Sequence, residues 1–154
     1  AEVEIDPDTG MLELIAYTIA DEVGQIINPL LMEGQIHGGI AQGLGQAFME
    51  QITYDEDANL LSGSLMDYAL PRADDMVNFA IHHAPTVTQA NPLGVKGVGE
   101  SGTVGGLSAG INAVVHALSE LGVENITMPA TPNRIWEAIR RADANRVKNS
   151  RAAQ

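Results

Sequence analysis

The segment richest in potential chemistry is the loop spanning residues 91–102, in which glycines surround a single carboxylate. Gly97 and Gly99 leave the backbone open beside Glu100, and the apolar spacing that follows predicts a long helix. A helix N-terminus carries free N–H groups and a partial positive charge, so it stabilises an anion. Here the anion is the chain's own Glu100, a residue type that serves as a general base. The pattern predicts either that Glu100 is an acid–base residue held at the helix N-terminus or that it only caps the helix.

The same loop approaches two phosphate-binding motifs, and each match lacks one required feature. Residues 94–101 have the spacing of a P-loop, but Glu100 stands at the lysine position and would repel a triphosphate. Residues 97–102 fit G-x-G-x-x-G, but no strand is predicted immediately before them. A nucleotide-binding protein that uses residues 94–102 is therefore kept as an alternative.

Glutamines and glycines share the first of two long predicted helices. Gln35, Gln42 and Gln46 lie on one helical face by their spacing, and their amides both donate and accept hydrogen bonds. The glycines inside this helix cost about 1 kcal/mol each relative to alanine, which predicts a close approach to the backbone. Either a polar ligand or a close helix–helix crossing with a solvated glutamine face accounts for this composition.

The predicted helices and strands that must position these residues indicate an α+β fold. It has mixed strands, two long glycine-containing helices and a C-terminal helix. Asn28-Pro29 predicts the start of the first helix, which should run to about Gln51. The second helix should follow Glu100 and stop at Gly122. Strands are predicted at residues 2–6, 11–20, 53–54, 60–61, 65–70 and 77–83. The expected core positions of the three helices are Ile36, Ile40, Leu44 and Phe48; Val104, Leu107, Ile111, Val114, Val115, Leu118 and Leu121; and, after Thr131-Pro132, Ile135, Trp136 and Ile139.

Length and charge restrict the function classes. The 154 residues fit a single domain, 1–154, with fraying expected from about Lys148. Residues 1–133 hold 18 acidic side chains against Arg72 and Lys96, within a net charge of −12, so no nucleic-acid partner is predicted. No apolar run is long enough for a membrane span, and no secretory signal is seen, so a cytoplasmic protein is expected. Cysteine is absent, and no set of metal ligands is predicted.

Three separate motifs, taken in order, resemble one known family. They are GQIHGGIAQGLGQA at residues 34–47, DYALP at residues 67–71 and NPLGVKGVGE at residues 91–100. Together they are similar to the C-terminal part of the molybdopterin-binding large subunit of the xanthine dehydrogenase, aldehyde oxidase and carbon monoxide dehydrogenase family. The resemblance covers roughly residues 3 to 140. It implies the fold of the C-terminal part of the molybdenum-binding domain.

The resemblance also implies roles for individual residues. The glutamate of the family's V-G-E motif falls on Glu100, which would take a proton from a hydroxide ligand of the molybdenum before attack on an electron-poor carbon. No protein side chain would ligate the metal, because the pterin supplies the thiolates. The implied cofactor is molybdopterin, expected as the cytosine dinucleotide form. The implied cofactor contacts are Gln35, Lys96, Gly97, Val98 and Gly99.

The family's large subunit is several times longer than this chain, so the resemblance implies a fragment of an enzyme. The implied partners are the remainder of the subunit, iron–sulfur and FAD-containing domains or subunits, and a small-molecule substrate. That substrate would be an aldehyde, an N-heterocycle or carbon monoxide, which is oxidatively hydroxylated. The chain alone is expected to be inactive, with no cofactor bound. The alternative is a non-catalytic folding or interaction module of a split or truncated subunit.

Overall fold

The structure, a computed structural model, describes residues 1–152 and places three helices against two small sheets. The first sheet pairs β1 with β2 in antiparallel fashion, and the second pairs β3 with β4 in parallel. The helices and strands are thus mixed without a repeating βαβ order, which confirms the predicted α+β class. The bounds are β1 Glu2–Ile5, β2 Leu12–Ala16, β3 Thr18–Asp21, α1 Pro29–Phe48, β4 Ala80–His83, α2 Ser101–Leu118 and α3 Pro132–Ala152, with 3-10 turns at Ala73–Asp75 and Ser119–Leu121.

Helix α1 begins where its capping residues predict. The Asn28 side chain accepts a hydrogen bond from the backbone N–H of Leu31 at 3.1 Å, and Pro29 occupies the first helical position. The helix ends at Phe48, slightly before the predicted Gln51, because Met49 leaves the helical range with a φ of −143° and the N–H of Glu50 returns to the carbonyl oxygen of Gly45. The predicted core stripe is confirmed: its four members, Ile36, Ile40, Leu44 and Phe48, are all buried.

Helices α1 and α2 meet backbone to backbone, because glycines face each other at their crossing. A Cβ atom added to Gly43 would lie 2.7 Å from the backbone nitrogen of Leu107, and one added to Gly102 would lie 2.5 Å from the carbonyl oxygen of Ile36. Real Cβ atoms do not approach backbone this closely, so only glycine permits the contact. The close helix–helix crossing is therefore the reason for Gly39 and Gly43 in α1, whereas a Cβ at Gly34 or Gly38 would meet nothing within 4 Å. The glycines of this crossing are Gly39, Gly43, Gly102 and Gly106.

The buried face of α2 differs in part from the predicted one. Val104 was expected in the core, but it is 70% exposed, whereas Val114 and Leu118 are buried as predicted. The N-terminal half of the buried face consists of Gly102, Gly106 and Gly110. A helix face formed by glycines is not detected by hydrophobic periodicity, because glycine has no apolar side chain. A valine on this face would hold the two helices apart. The prediction for Val104 is therefore wrong.

Three strand predictions are also wrong in detail. The single strand at 11–20 is split at the buried Tyr17 into β2 and β3, which belong to different sheets. Residues 65–70 form turns, and the predicted pair at 53–54 and 60–61 is reduced to one bridge between Tyr54 and Leu60. Strand pairing depends on distant partners, which a local alternation of side chains does not specify. β1 and β4 fall within their predicted ranges, 2–6 and 77–83.

Helix α3 starts at the predicted Thr131-Pro132 and buries Ile135 and Ile139. Trp136 was expected to face inward but is 37% exposed, and the Arg140 guanidinium carbon lies 5.3 Å from its ring centre. The helix continues to Ala152, and residues 153–154 lie outside the described part of the chain. The expected fraying from Lys148 stays a prediction.

Two further absences apply to residues 1–152. None of their helices has both the length and the apolar character required to cross a bilayer. No cluster of three or more His, Asp or Glu side chains among them is arranged to hold a metal ion.

We predict that Gly43→Ala destabilises the chain by about 1–3 kcal/mol, because the new methyl group would meet backbone atoms of α2. Gly38→Ala is the matched control on the same helix, since a Cβ there meets nothing within 4 Å. That control should be neutral or stabilising by up to about 1 kcal/mol. Urea unfolding of the two variants measures both effects. Equal stabilities would contradict the packing described here.

Candidate functional site

The loop before α2 lies beside the exposed face of α1, and this brings three of the predicted contact residues together. Gln35, Lys96 and Val98 line one concavity of ≈ 320 Å³, whose other walls are mainly apolar. A Cβ atom added to Gly99 would lie 3.9 Å from Nε2 of Gln35, so the loop passes close to that amide. Gly97 lies between Lys96 and Val98 in the same loop. The contact residues predicted from distant parts of the sequence thus share one surface.

The backbone of this loop presents unused hydrogen-bond donors. The N–H groups of residues 97–100 find no acceptor within the described part of the chain. A Cβ added to Gly97 would meet nothing within 4 Å, so the chain leaves that face of the backbone open. Consecutive free N–H groups before a helix favour oxygen-rich or anionic ligands. The donor set suits a polar cofactor more than an apolar ligand.

Glu100 is the N-cap residue of α2, but its side chain does not cap the helix. Its carbonyl oxygen accepts the N–H of Val104 at 3.1 Å, whereas its carboxylate accepts no hydrogen bond from the first turn. The residue is exposed, and its carboxylate has no ion-pair partner within residues 1–152. The capping alternative is therefore wrong for the side chain. The carboxylate is free to act on a ligand beside the loop.

Ser101 links the start of α2 to the end of β3. Its hydroxyl oxygen lies 3.1 Å from the carbonyl oxygen of Val98 and 3.4 Å from the Asp21 carboxylate. Asp21 also acts on Tyr17, a buried residue of the neighbouring core. Burial raises the pKa of the Tyr17 hydroxyl, and the negative charge of Asp21 raises it further. These contacts hold the turn that carries Glu100 against the sheet.

Glu22 is the residue of this site that sequence reasoning missed. Its carboxylate forms an ion pair with the Lys96 ammonium group and accepts the N–H of Thr86 at 2.9 Å and that of Gly24 at 3.0 Å. The Lys96 bond, followed by the two backbone N–H groups, lowers the pKa of Glu22 to about 2. The available signal was an acidic residue directly after a strand, two positions before a glycine.

The glutamines of α1 have separate surroundings despite their shared face. Gln42 accepts a long hydrogen bond of 3.4 Å from the Thr103 hydroxyl of α2, so it joins the helix crossing. Gln46 is exposed, and its side chain bonds to none of the described residues. Gln35 is the member of this face that reaches the loop of residues 94–100.

Comparison with protein families gives a match over the first half of the chain. Residues 1–77 match the molybdopterin cofactor-binding domain. The chain is 41% identical to the nicotine 6-hydroxylase large subunit of Paenarthrobacter nicotinovorans over 138 residues. It is 38% identical to the carbon monoxide dehydrogenase large chain of Hydrogenophaga pseudoflava, again over 138 residues. Each alignment covers 90% of this chain and 17% of the relative, so the chain spans about a sixth of the length of either protein.

Solved structures give the same result. A crystal structure of the Cu,Mo-CO dehydrogenase matches with a TM-score of 0.87 and 36% identity over 92% of this chain and 18% of that one. The structure of quinoline 2-oxidoreductase from Pseudomonas putida 86 matches with a TM-score of 0.86 and 39% identity over 90% of this chain and 18% of that one. The two helices and the loop between β4 and α2 thus belong to an architecture seen in molybdenum enzymes.

The low pKa of Glu22 predicts a pH-dependent contribution to stability. The folded-state pKa of about 2 lies below the ordinary value of 4.5, so the ionised carboxylate favours the folded chain. This stabilisation is complete above about pH 5 and is lost as the pH falls towards 2. The Tm difference between the wild type and Glu22→Gln should therefore shrink across that interval. A difference that is constant with pH would contradict the assignment.

Proposed function

This chain belongs to the molybdopterin cofactor-binding family of molybdenum hydroxylase large subunits, and from that membership we propose that it forms one wall of the active site of a molybdenum-dependent oxidoreductase. The wall consists of the loop of residues 94–100 and the adjoining part of α1. The observation that carries the proposal is the meeting of Gln35 with this loop at an open row of backbone N–H groups.

The donors at this wall fit a pterin cofactor. Molybdopterin offers ring nitrogens, oxygens and a phosphate, which accept hydrogen bonds from amide and ammonium groups. Gln35 supplies a side-chain amide, Lys96 supplies an ammonium group, and Gly97, Val98 and Gly99 supply backbone N–H groups. When bound, the cofactor supplies a molybdenum centre that accepts two electrons from the substrate. We assign these residues to hold the cofactor, in its cytosine dinucleotide form.

Glu100 is the general base of the proposed reaction. Its carboxylate is exposed beside the same loop and makes no bond that would have to break before it accepts a proton. The chain's own part in the reaction is thus to orient the cofactor through the loop and to accept one proton at Glu100.

The proposed reaction is oxidative hydroxylation of a small molecule at an electron-poor carbon. The names of the relatives point to nicotine and to carbon monoxide as substrates of those proteins. For this chain we propose an aldehyde, an N-heterocycle or carbon monoxide. Iron–sulfur clusters and FAD on partner domains or subunits would carry the electrons away, as the multi-subunit names of the relatives suggest.

The remaining walls of the site would come from the rest of the large subunit, since this chain spans about a sixth of its relatives. We therefore propose that the chain by itself holds no cofactor and has no activity. Large exposed apolar side chains support a second role as a docking module for that remainder. Leu65 is 79% exposed and Met66 is 95% exposed, next to the exposed Leu60, Leu61 and Leu70.

Nucleotide binding by residues 94–102 is the less favoured candidate. A P-loop needs a free lysine at the end of the glycine loop, and Glu100 holds that position. Lys96, which lies within the loop, is already paired with Glu22.

We predict that Glu100→Gln in the complete enzyme lowers kcat by about 10²–10⁴-fold, the usual contribution of a positioned base. Molybdenum content should stay at the wild-type level, because Glu100 is not assigned to hold the cofactor. Glu120→Gln is the matched control, an exposed glutamate at the other end of α2. Near-wild-type turnover by a fully loaded Glu100→Gln enzyme would remove the base assignment.

We predict that Gln35→Ala weakens retention of molybdopterin by about tenfold, the effect of losing one hydrogen bond to a buried ligand. The matched control is Gln46→Ala, which removes an exposed glutamine from the same helix. Pterin and molybdenum content after extended dialysis gives the measurement. If both variants retain the cofactor equally well, Gln35 is not a cofactor contact.

A further inference from the structure

We propose that Glu22 is a positioning residue, which fixes the loop of residues 94–100 and holds the Lys96 ammonium group at the cofactor wall. The inference rests on the proposed function for what Lys96 contacts. The contacts of Glu22 with Lys96 and with the loop are seen in this chain and do not depend on the proposed function. Glu22 itself does not line the concavity that Gln35, Lys96 and Val98 share, so it would act through Lys96.

One carboxylate joins the turn after β3 to two points of the connection between β4 and α2. One oxygen of Glu22 pairs with the Lys96 ammonium group, and the other accepts the N–H of Gly24 at 3.0 Å and the N–H of Thr86 at 2.9 Å. Gly24 lies in the turn after β3, whereas Thr86 and Lys96 lie near the two ends of the connection between β4 and α2. Both oxygens are therefore engaged, and the orientation of the carboxylate is fixed from several sides.

The backbone next to Glu22 adds two hydrogen bonds to the same loop. Gln25 donates its N–H to the carbonyl oxygen of Gly94 at 2.9 Å, and Lys96 donates its N–H to that of Val23 at 3.2 Å. Gly24 has a positive φ of 67°, and a Cβ there would lie 2.5 Å from the carbonyl oxygen of Gly94. These bonds hold the loop at Gly94 and Lys96, together with the contacts that Glu22 makes to Thr86 and Lys96. The Glu22 carboxylate adds control of the Lys96 side chain.

The ion pair lies near the solvent, so its contribution to folding stability is small. The side chains of Lys96 and Glu22 keep 34% and 39% of their exposure, and pairs at such positions contribute little to folding. An ammonium group has three N–H donors, so the bond to Glu22 leaves donors for a ligand. Fixing one donor of Lys96 restricts where the others lie. A residue that orients a ligand contact in this way resembles the outer partners that orient metal-binding side chains.

The experiment is a double-mutant cycle in the complete enzyme that contains this chain. Glu22→Gln keeps an oxygen acceptor for the two backbone N–H groups but removes the charge that pairs with Lys96. Lys96→Met removes the other partner. The readouts are molybdopterin retention after dialysis and hydrogen exchange of the peptide spanning residues 94–101 in cofactor-free enzyme. Glu13→Gln is the matched control, an exposed glutamate of β2.

Glu22→Gln and Lys96→Met should each lower cofactor retention by about tenfold, as outer-sphere substitutions do. The double variant should be no worse than Lys96→Met alone, because both changes remove the same contact. Hydrogen exchange in the 94–101 peptide should be faster in Glu22→Gln than in Glu13→Gln. Glu22→Asp should restore part of the cofactor retention and part of the slow exchange.

The proposal would be overturned if the double variant lost retention by the product of the two single-variant factors. Exchange of the 94–101 peptide at the wild-type rate in Glu22→Gln would also overturn it. A wild-type enzyme without molybdopterin would instead contradict the proposed function. In that case faster exchange in Glu22→Gln supports the loop-fixing role of Glu22, and unchanged exchange overturns it.

Discussion

The backbone contact between α1 and α2 is the constraint on which the rest of the structure depends. Glycine at positions 39, 43, 102 and 106 lets the two helix backbones touch. This contact places the N-terminus of α2 beside the exposed part of α1, so Gly99, the residue before Glu100, lies close to the Gln35 side chain. A single methyl group in the crossing would separate the helices and shift the two residues relative to each other. Helix packing and site geometry are thus set by the same contact.

Much of this arrangement was predictable because its signals are local. The Asn28-Pro29 start of α1, its apolar stripe and the Gly122 stop after α2 each follow from a few neighbouring residues, and Gly122 has a positive φ of 85°. The face of α2 was less predictable, because glycine leaves no hydrophobic periodicity and Val104 suggested another orientation. The break at Tyr17 depends on the pairing of β3 with β4, which is distant in sequence.

In the candidate site, too, the residues within local motifs were predictable, and the residue that depends on distant partners was not. Gln35 and the 96–100 loop were recognisable by motif, and the structure brings them to one surface. Glu22 was missed because its role depends on hydrogen bonds to Lys96 and Thr86, which are distant from it in sequence. The proposed function accounts for the open character of this surface, since the chain spans about a sixth of the length of the relatives it matches.

The central claim is that the crossing of α1 and α2 presents Gln35 and the 97–99 backbone to molybdopterin. A crystal structure of the complete enzyme with its cofactor tests it most directly. The account predicts cofactor oxygen or nitrogen atoms about 2.7–3.2 Å from the Gln35 amide and from at least one N–H of residues 97–99, the usual range for hydrogen bonds. A cofactor bound elsewhere, with these donors facing only solvent or other protein segments, would contradict it.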